Sequence, residues 1–351
     1  MLGPAVVSLV AKFGWRSSKA AAVLAGIGGV TMLIVTALPF IPVFVAGSVV
    51  AMTAVSAAIP LLTQMYHENY PEKARGKIFS STVMIRIAAA AAFSEFAGQA
   101  FSGRIERFQL LLLIFVGAFA VAAFCLWRVP TRPLESGEGS HPFRALRFAY
   151  DDALFRRTLI CWMLMGFANL MMIPMRVEML ANPKYGIALS VGEIAFLVGV
   201  VPNTARILLS PLWGWLFDRA NFFVLRVVLN IGFAIGILTF FTSNDLAGLI
   251  TGAVVFGISN AGGDIAWSLW VTKFAPENRV ADYMSVHTFF TGLRGVIAPI
   301  TAFQLARTVE LTTLGWISAA LIFLASALLL PEIKFGRRGR HREPLVEEIS
   351  E

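Results

Sequence analysis

The stretch "QLLLLIFVGAFAVAAFCLWR", residues 109–128, contains no charged residue before its final arginine. A helix of about 20 mostly apolar residues is long enough to cross the ~30 Å hydrocarbon core of a bilayer. Nine more stretches of this kind lie, to within a few residues, at 20–40, 42–64, 79–102, 158–177, 188–213, 222–242, 246–270, 283–305 and 312–330. Residues 1–13 are apolar but too short to cross alone. The sequence therefore predicts an all-α, polytopic helical membrane protein with about ten full transmembrane helices and a partial N-terminal one.

The composition agrees with this class of protein. The 351 residues are 57% hydrophobic and only 14% charged, with a mean hydropathy of +0.74, whereas soluble domains carry about 25% charged residues. A net charge of +8 would suggest nucleic acid as a partner of a soluble protein, but here the lipid bilayer is the expected partner. Cys125 and Cys161 both lie in apolar spans, and the four histidines form no cluster with them. We therefore expect no metal site and no cofactor.

The basic residues orient the chain. Of the 29 Lys and Arg residues, 21 lie in one alternating set of connections, five in the opposite set and three inside predicted spans. Lys and Arg accumulate in cytoplasmic loops of membrane proteins. The pattern predicts a multi-pass protein of the plasma (cytoplasmic or inner) membrane, with its long linker and its C-terminus in the cytoplasm.

Two of the predicted cytoplasmic loops, residues 69–81 and 274–286, resemble each other. Pro71 and Ser80 recur as Pro276 and Ser285, at one offset of 205 residues. A repeat on both sides of a long linker indicates two parallel, pseudo-symmetric halves. The predicted domains are an N-terminal helical bundle, a cytoplasmic linker ending in an amphipathic helix from Pro142 to Arg157, a six-helix bundle and a cytoplasmic tail, at residues 1–129, 130–157, 158–332 and 333–351.

The stretch "GWLFDRANFF", residues 214–223, matches the front of the G-x-x-x-D-R-x-G-R-R motif with Gly214, Asp218 and Arg219. With this motif and the two halves, the chain resembles the major facilitator superfamily. The resemblance implies a secondary active transporter of a small solute that rocks two bundles around a central site, and a latch at Gly214, Asp218 and Arg219. It leaves open whether transport is coupled to protons.

The offset of 205 places the counterparts of spans 158–177 and 188–213 largely before Met1. We therefore expect the chain to lack the first helix of the family and most of the second. A native protein of ten or eleven spans is the alternative.

Polar residues inside the spans are the candidate substrate or coupling residues, because a charge at the bilayer centre is costly and is usually functional. His287, Thr291 and Arg294 share one helix face, and Asn260, Asp264 and Trp267 share a face of the preceding span. From their depths we predict an ion pair between Asp264 and Arg294, either as a static salt bridge or on the transport pathway. His287, near a helix end, is expected to be solvated or else to act as a proton relay.

Other spans add further candidates. Arg206 has polar neighbours on its helix face and is expected in a cavity, whereas Arg86 shares its face with alanines and is expected to pack closely against another helix. Asn169 and Glu95 are the other candidates. The sequence contains no nucleophile–base pair and no G-x-x-x-x-G-K-[ST] stretch, so we expect neither an enzyme nor ATP coupling. The alternative function is a non-transporting binding or scaffold protein on the same fold.

Overall fold

The computed structural model describes residues 1–101, 108–135 and 141–333, except for the side chains of residues 95 and 97–101. Within this part of the chain the architecture is helical and contains no β-strand, which confirms the predicted all-α class. The helices are α1 (Gly3–Lys12), α2 (Ser17–Ala37), α3 (Ile41–Asn69), α4 (Arg75–Phe101), α5 (Phe108–Arg128), α6 (Phe148–Asp151), α7 (Ala153–Ala181), α8 (Val191–Ala195), α9 (Val201–Arg219), α10 (Phe222–Thr242), α11 (Leu246–Leu269), α12 (Val280–Leu305) and α13 (Leu311–Leu329).

Nine helical segments of the described residues are long and apolar enough to cross a membrane. They are Ser17–Ala37, Ile41–Asn69, Glu72–Ser94, Phe108–Arg128, Ala153–Ala181, Val191–Arg219, Phe222–Thr242, Leu246–Lys273 and Leu311–Glu332. Helix α12 is not among these nine, but its 26 residues include the predicted span 283–305 and extend for about 39 Å at ~1.5 Å per residue. The chain is therefore a multi-pass helical membrane protein, as the apolar stretches predict.

The linker differs from the prediction of one amphipathic helix between Pro142 and Arg157. The structure has a 3₁₀ turn at Arg144–Arg147 and the short helix α6, and a new helix, α7, begins at Ala153. The break follows from Asp152, whose side chain accepts a hydrogen bond from the Phe155 backbone N–H at 2.8 Å. An aspartate in this role starts a helix, because it satisfies a backbone donor that lacks a partner in the first turn. The prediction was wrong at this point.

The chain divides into two compact units. Unit 1 contains Met1–Pro71, Ala88–Phe148 and Ala275–Phe289, and unit 2 contains Glu72–Ile87, Ala149–Phe274 and Phe290–Glu351. Each unit thus includes a short segment from the other half of the sequence. These segments are Glu72–Ile87 and Ala275–Phe289, and both overlap the loops that the repeat relates.

Unit 1 has a core of small and aliphatic side chains. Helix α2 packs against α3 and α5. Val7 and Val10 of α1, Leu61 of α3 and Ala281 of α12 belong to one buried cluster. Unit 1 therefore buries the beginning of α12 against the N-terminal helix.

Unit 2 is built around α10 and α11. Helix α10 packs against α11 and α13, α11 packs against α9, and α13 packs against α7. Gly236 of α10 and Gly252 of α11 let the two backbones approach, because a Cβ on either would lie within 3 Å of the backbone nitrogen of Phe256 or Phe240. Small residues at such contacts are a common device for packing helices in membranes. This close packing places α9 beside the polar face of α11.

Candidate functional site

Asp264 of α11 is the centre of a charged group inside unit 2. Its Oδ2 atom lies 2.5 Å from Nη2 of Arg206 and 3.8 Å from Nη2 of Arg86. The side chains of Asp264 and Arg206 are 24% and 23% exposed, whereas that of Arg86 is 63% exposed. We call these three residues the Asp264 triad. Two arginines and one aspartate give the triad a net charge of +1 when all three are ionised.

Arg206 is held in place by its own helix and by close packing. Its Nη1 donates a hydrogen bond to Oδ1 of Asn203, one turn earlier, at 2.8 Å. The π-helical turn Phe196–Val200 precedes it in the same long helix, and such turns are frequent at functional sites. Gly257 of α11 lies against the α9 backbone, because a Cβ there would be 2.4 Å from the carbonyl oxygen of Pro202. This contact brings Arg206 within reach of α11.

The predicted ion pair between Asp264 and Arg294 is not formed, although the structure describes both residues. Asp264 pairs with Arg206 instead, and Arg294 donates from Nη1 to the backbone carbonyl of Trp162 in α7. The prediction was wrong because it compared only depths along two helices that are consecutive in the sequence. Helix α11 packs along α9 and α10, so the neighbouring helix in space, not the next in sequence, supplies the partner.

Arg294 belongs to a second group of cationic residues around Trp162. The guanidinium carbon of Arg226 lies 3.4 Å from the centre of a Trp162 ring, and Arg226 is almost fully buried. Arg294 reaches α7 because Gly166 leaves room for it: a Cβ on Gly166 would overlap the guanidinium group. We call Trp162, Arg226 and Arg294 the Trp162 cluster. Arg226 is held by a cation–π contact with the Trp162 ring, and Arg294 by a hydrogen bond to the Trp162 backbone carbonyl.

Arg86 does not lie where its sequence surroundings suggest. The alanines on its face predict close packing, but its side chain is 63% exposed and within 3.8 Å of Asp264. That expectation was wrong. Small neighbours allow a long side chain to extend past them, and they do not by themselves show that another helix covers it.

The other candidates on the spans lie on several helices. Asn260 and Trp267 lie within one turn of Asp264 along α11 and are half-buried. Thr291 of α12 and Asn169 of α7 are also half-buried. Among the described residues, the Thr291 hydroxyl and the Asn169 side-chain oxygen have no hydrogen-bond partner. Both oxygens are themselves buried.

Two candidates are not part of the Asp264 triad. His287 is fully buried, so the expectation of a solvated histidine was wrong; it lies in unit 1, whereas the Asp264 triad lies in unit 2. The side chain of Glu95 is outside the described part of the structure. Among the described residues, no group of three His, Cys, Asp or Glu side chains is suitable for a metal ion.

Asp218, at the end of α9, caps the first turn of α4 within unit 2. Its Oδ1 accepts from the Gly76 backbone N–H at 2.6 Å, and its Oδ2 accepts from the Lys77 N–H at 2.9 Å. Gly214 makes this approach possible, because a Cβ there would lie 2.6 Å from the carbonyl oxygen of Gly76. Arg219 stacks on the ring of the tryptophan one turn earlier, at 4.9 Å. A carboxylate at a helix N-terminus satisfies free N–H groups and interacts favourably with the helix dipole.

In unit 1 a neutral side chain, that of Gln64, accepts the hydrogen bond that corresponds to the one accepted by Asp218. The N–H of Ala281, which is 205 residues after Gly76, donates to Oε1 of Gln64 at 3.1 Å. The Gln64 amide group donates in turn to the carbonyl of Glu277 at 2.9 Å and to Oε1 of Glu68 at 3.0 Å. Sequence reasoning missed Gln64. The offset contained a signal, because it aligns Gly76 with Ala281, so the first turn of α12 needs an acceptor as the first turn of α4 does.

Asp282, in the next position of α12, is buried at the predicted cytoplasmic end of the helix. Its Oδ2 lies 3.3 Å from Nη1 of Arg279. Burial raises the pKa of Asp282 above its ordinary value, and the positive charge of Arg279 offsets only part of this rise. The cause is desolvation, which disfavours the charged form of a carboxyl group.

Comparison with known proteins places the chain among membrane transporters. A family model of the Major Facilitator Superfamily matches residues 1–299, and no curated protein matches the chain. The human organic anion transporter MFSD10 (TETRAN) is 14% identical with a TM-score of 0.72, over 93% of this chain and 80% of that one. The E. coli fucose:proton symporter FucP is 12% identical with a TM-score of 0.72, over 95% and 87%. A double-Trp mutant of XylE is 16% identical with a TM-score of 0.71, over 95% and 83%.

Proposed function

Because this chain belongs to the major facilitator superfamily, a family of transporters and not of enzymes, we propose that it is a secondary active transporter that moves a small solute by alternating access. In this proposal the bundles formed by residues 1–129 and 158–332 rock around a central site. The transporter lies in the plasma (inner) membrane with its C-terminus in the cytoplasm, since 21 basic residues accumulate on that side.

The observation that carries the proposal is the Asp264 triad. Three ionisable side chains meet near the middle of membrane-spanning segments, and one of them, Arg86, is largely exposed. Placing a charge at the centre of a bilayer costs roughly 2.5–3.5 kcal/mol on insertion scales. An exposed arginine at this depth is therefore expected to face a water-filled cavity, where a solute can reach it.

The Asp218 cap supports a gating step. It joins the end of α9 to the beginning of α4 through two hydrogen bonds to a charged acceptor. Breaking and remaking a contact of this kind biases a two-state equilibrium by its own free energy. We infer that Gly214, Asp218 and Arg219 act as the latch that the family motif implies.

Proton coupling is a further part of the proposal. Protonation of Asp264 would remove the negative charge that holds Arg206 and attracts Arg86. Binding of a proton to the Asp264 carboxylate would therefore change how these arginines bind a solute. One of the structurally similar proteins, FucP, is a fucose:proton symporter. The corresponding test is whether a pH gradient drives accumulation of the solute.

The experiment compares the wild type with Asp264→Asn in cells grown in a defined medium, with mass spectrometry of the compounds taken up or released. We expect at least one compound to change with the wild type and not with the variant at equal amounts in the membrane. Arg307→Gln is a control for general effects of a substitution, because Arg307 is an exposed arginine just after the end of α12. It should behave like the wild type.

Counterflow of that compound in proteoliposomes then tests transport by the protein alone. A folded, reconstituted protein that exchanges none of the compounds would refute the proposal and favour the non-transporting scaffold protein. Equal activity of Asp264→Asn and the wild type would preserve the transporter but remove the Asp264 triad from its mechanism.

A further inference from the structure

The charges in the middle of the described helices are unbalanced. Four ionisable side chains lie eight or more residues from both ends of their membrane-spanning segments: Arg86, Arg206, Asp264 and Arg294. All four belong to unit 2, and together they have a net charge of +2. Glu95, whose side chain is outside the described structure, is on the same helix as Arg86 and about 13 Å away along the axis. Even with Glu95 ionised, the sum stays positive.

The excess positive charge is accessible at one residue. Arg206 is already engaged by Asp264 at 2.5 Å and by Asn203 at 2.8 Å, and Arg294 is hydrogen-bonded to Trp162. Arg86, by contrast, is 3.8 Å from Asp264, which is an ion-pair distance but longer than a hydrogen bond. A guanidinium group has five N–H donors. Arg86 therefore has donors available for a ligand.

The net charge of the Asp264 triad favours a ligand with one negative charge. The Asp264 triad has a net charge of +1, so one negative charge on a bound solute makes the site neutral. A second negative charge would face Asp264 across a few ångströms without a further cation in the triad. Planar arginine forks bind carboxylates with two parallel hydrogen bonds.

We propose that the solute is a small organic monocarboxylate, and that its carboxylate binds the Arg86 guanidinium beside Asp264. This inference rests on the proposed transport function and names the substrate class of the same site. Arg206 stays paired with Asp264, which keeps the aspartate oriented. Binding of the carboxylate replaces the long contact between Arg86 and Asp264, and an uncharged analogue of equal shape would not replace it.

Thermal unfolding of the purified full-length protein in detergent tests the binding, with butyrate, lactate and benzoate as probes at constant ionic strength. A ligand that binds the folded state raises the Tm. We expect at least one of these monocarboxylates to raise the Tm of the wild type, and we expect its amide (butyramide, lactamide or benzamide) and the dianion succinate to have little effect. A Tm that no monocarboxylate changes, or that acid and amide raise equally, would overturn the proposal.

Variants locate the binding at the proposed residue. Arg86→Gln should weaken binding of the active acid by about 10- to 100-fold, as expected for loss of a charge-assisted hydrogen bond. Arg86→Lys should give intermediate binding because it keeps the charge but loses the fork. The matched control Arg307→Gln, at an exposed arginine of the same unit, should bind like the wild type. Undiminished binding by Arg86→Gln would refute the assignment, and Arg86→Lys serves as the test if the glutamine variant does not fold.

Flux measurements separate the two proposals. If the acid binds but is not exchanged in proteoliposomes, the anion site stands and the transport function fails. If the protein instead transports an uncharged solute, and Arg86→Gln transports it equally well, the transport function stands and the carboxylate site is wrong.

Discussion

Replacing Asp218 by asparagine should weaken the first turn of α4, because this aspartate accepts hydrogen bonds from two successive backbone N–H groups. Asp218 contacts the N–H groups of Gly76 and Lys77 with its two different oxygens, at 2.6 and 2.9 Å. Asparagine keeps one acceptor oxygen and loses both the second acceptor and the negative charge. The change is local, since asparagine has nearly the same shape as aspartate.

The magnitude follows from these two contacts. A hydrogen bond to a charged group contributes about 1.5–3 kcal/mol, and the charge–dipole interaction at a helix N-terminus contributes about 0.3–1 kcal/mol. One amide can still bond to the asparagine oxygen, so we expect a loss of about 2–3 kcal/mol for local opening. This loss corresponds to an increase of roughly 30- to 150-fold in the opening equilibrium.

Hydrogen–deuterium exchange measures this opening directly, because exchange of a protected amide reports the free energy of the local opening. Peptides that contain Gly76 and Lys77 should exchange faster in Asp218→Asn by the factor above. Asp245→Asn is the control: Asp245 caps α11 at the N–H of Gly248, at 3.2 Å, and its loss should leave residues 76 and 77 unchanged. Equal exchange of these amides in the wild type and Asp218→Asn would refute the capping role.

Three further predictions concern other contacts of the fold. Gly166→Ala should lower the free energy of unfolding by about 1–3 kcal/mol, and with it the Tm, because the added methyl group overlaps the Arg294 guanidinium. An unchanged Tm would contradict the close approach of Arg294 to Gly166. Gln64→Leu should lower the free energy of unfolding by about 1–3 kcal/mol, measured by thermal or denaturant unfolding, since it leaves the Ala281 N–H without its acceptor. Gln64→Glu should not restore stability, because its carboxylate would face Glu68 and could not donate to Glu277. The pKa of Asp282 is raised by burial, so its contribution to stability is fully present below the ordinary pKa of an aspartate and is lost as the pH rises through the raised pKa. Asp282→Asn should therefore gain stability relative to the wild type as the pH rises from about 4 to 8, and parallel Tm curves over this range would show that Asp282 is not desolvated.

Much of the architecture follows from the sequence because each helix that crosses a bilayer must satisfy its own backbone hydrogen bonds. Length and hydropathy alone then locate a helix, as they do for Phe108–Arg128. The linker was harder to predict, since one hydrogen bond from Phe155 to Asp152 moved the beginning of α7. Such a local contact outweighs a weak amphipathic pattern.

The candidate site was only partly predictable. The polar neighbours of Arg206 indicated a polar environment, but the partner of Asp264 depends on which helices pack together and on how each is rotated. Helix α11 packs along α9, so Arg206 reaches Asp264 while Arg294 reaches Trp162. Periodicity gives the face of a residue on its own helix and says nothing of the helix that this face meets.

The exchange of short segments between the sequence halves has a consequence for dividing this protein. A fragment that ends in the linker lacks Ala275–Phe289, which unit 1 contains, and the complementary fragment lacks Glu72–Ile87, which unit 2 contains. Neither fragment can then complete its core or its helix caps: Ala281 would be separated from Gln64, and Gly76 from Asp218. Co-expressed fragments should therefore assemble, while each one alone is degraded. The two halves that the repeat relates thus depend on each other for folding, and a destabilising mutation in one half also destabilises the other.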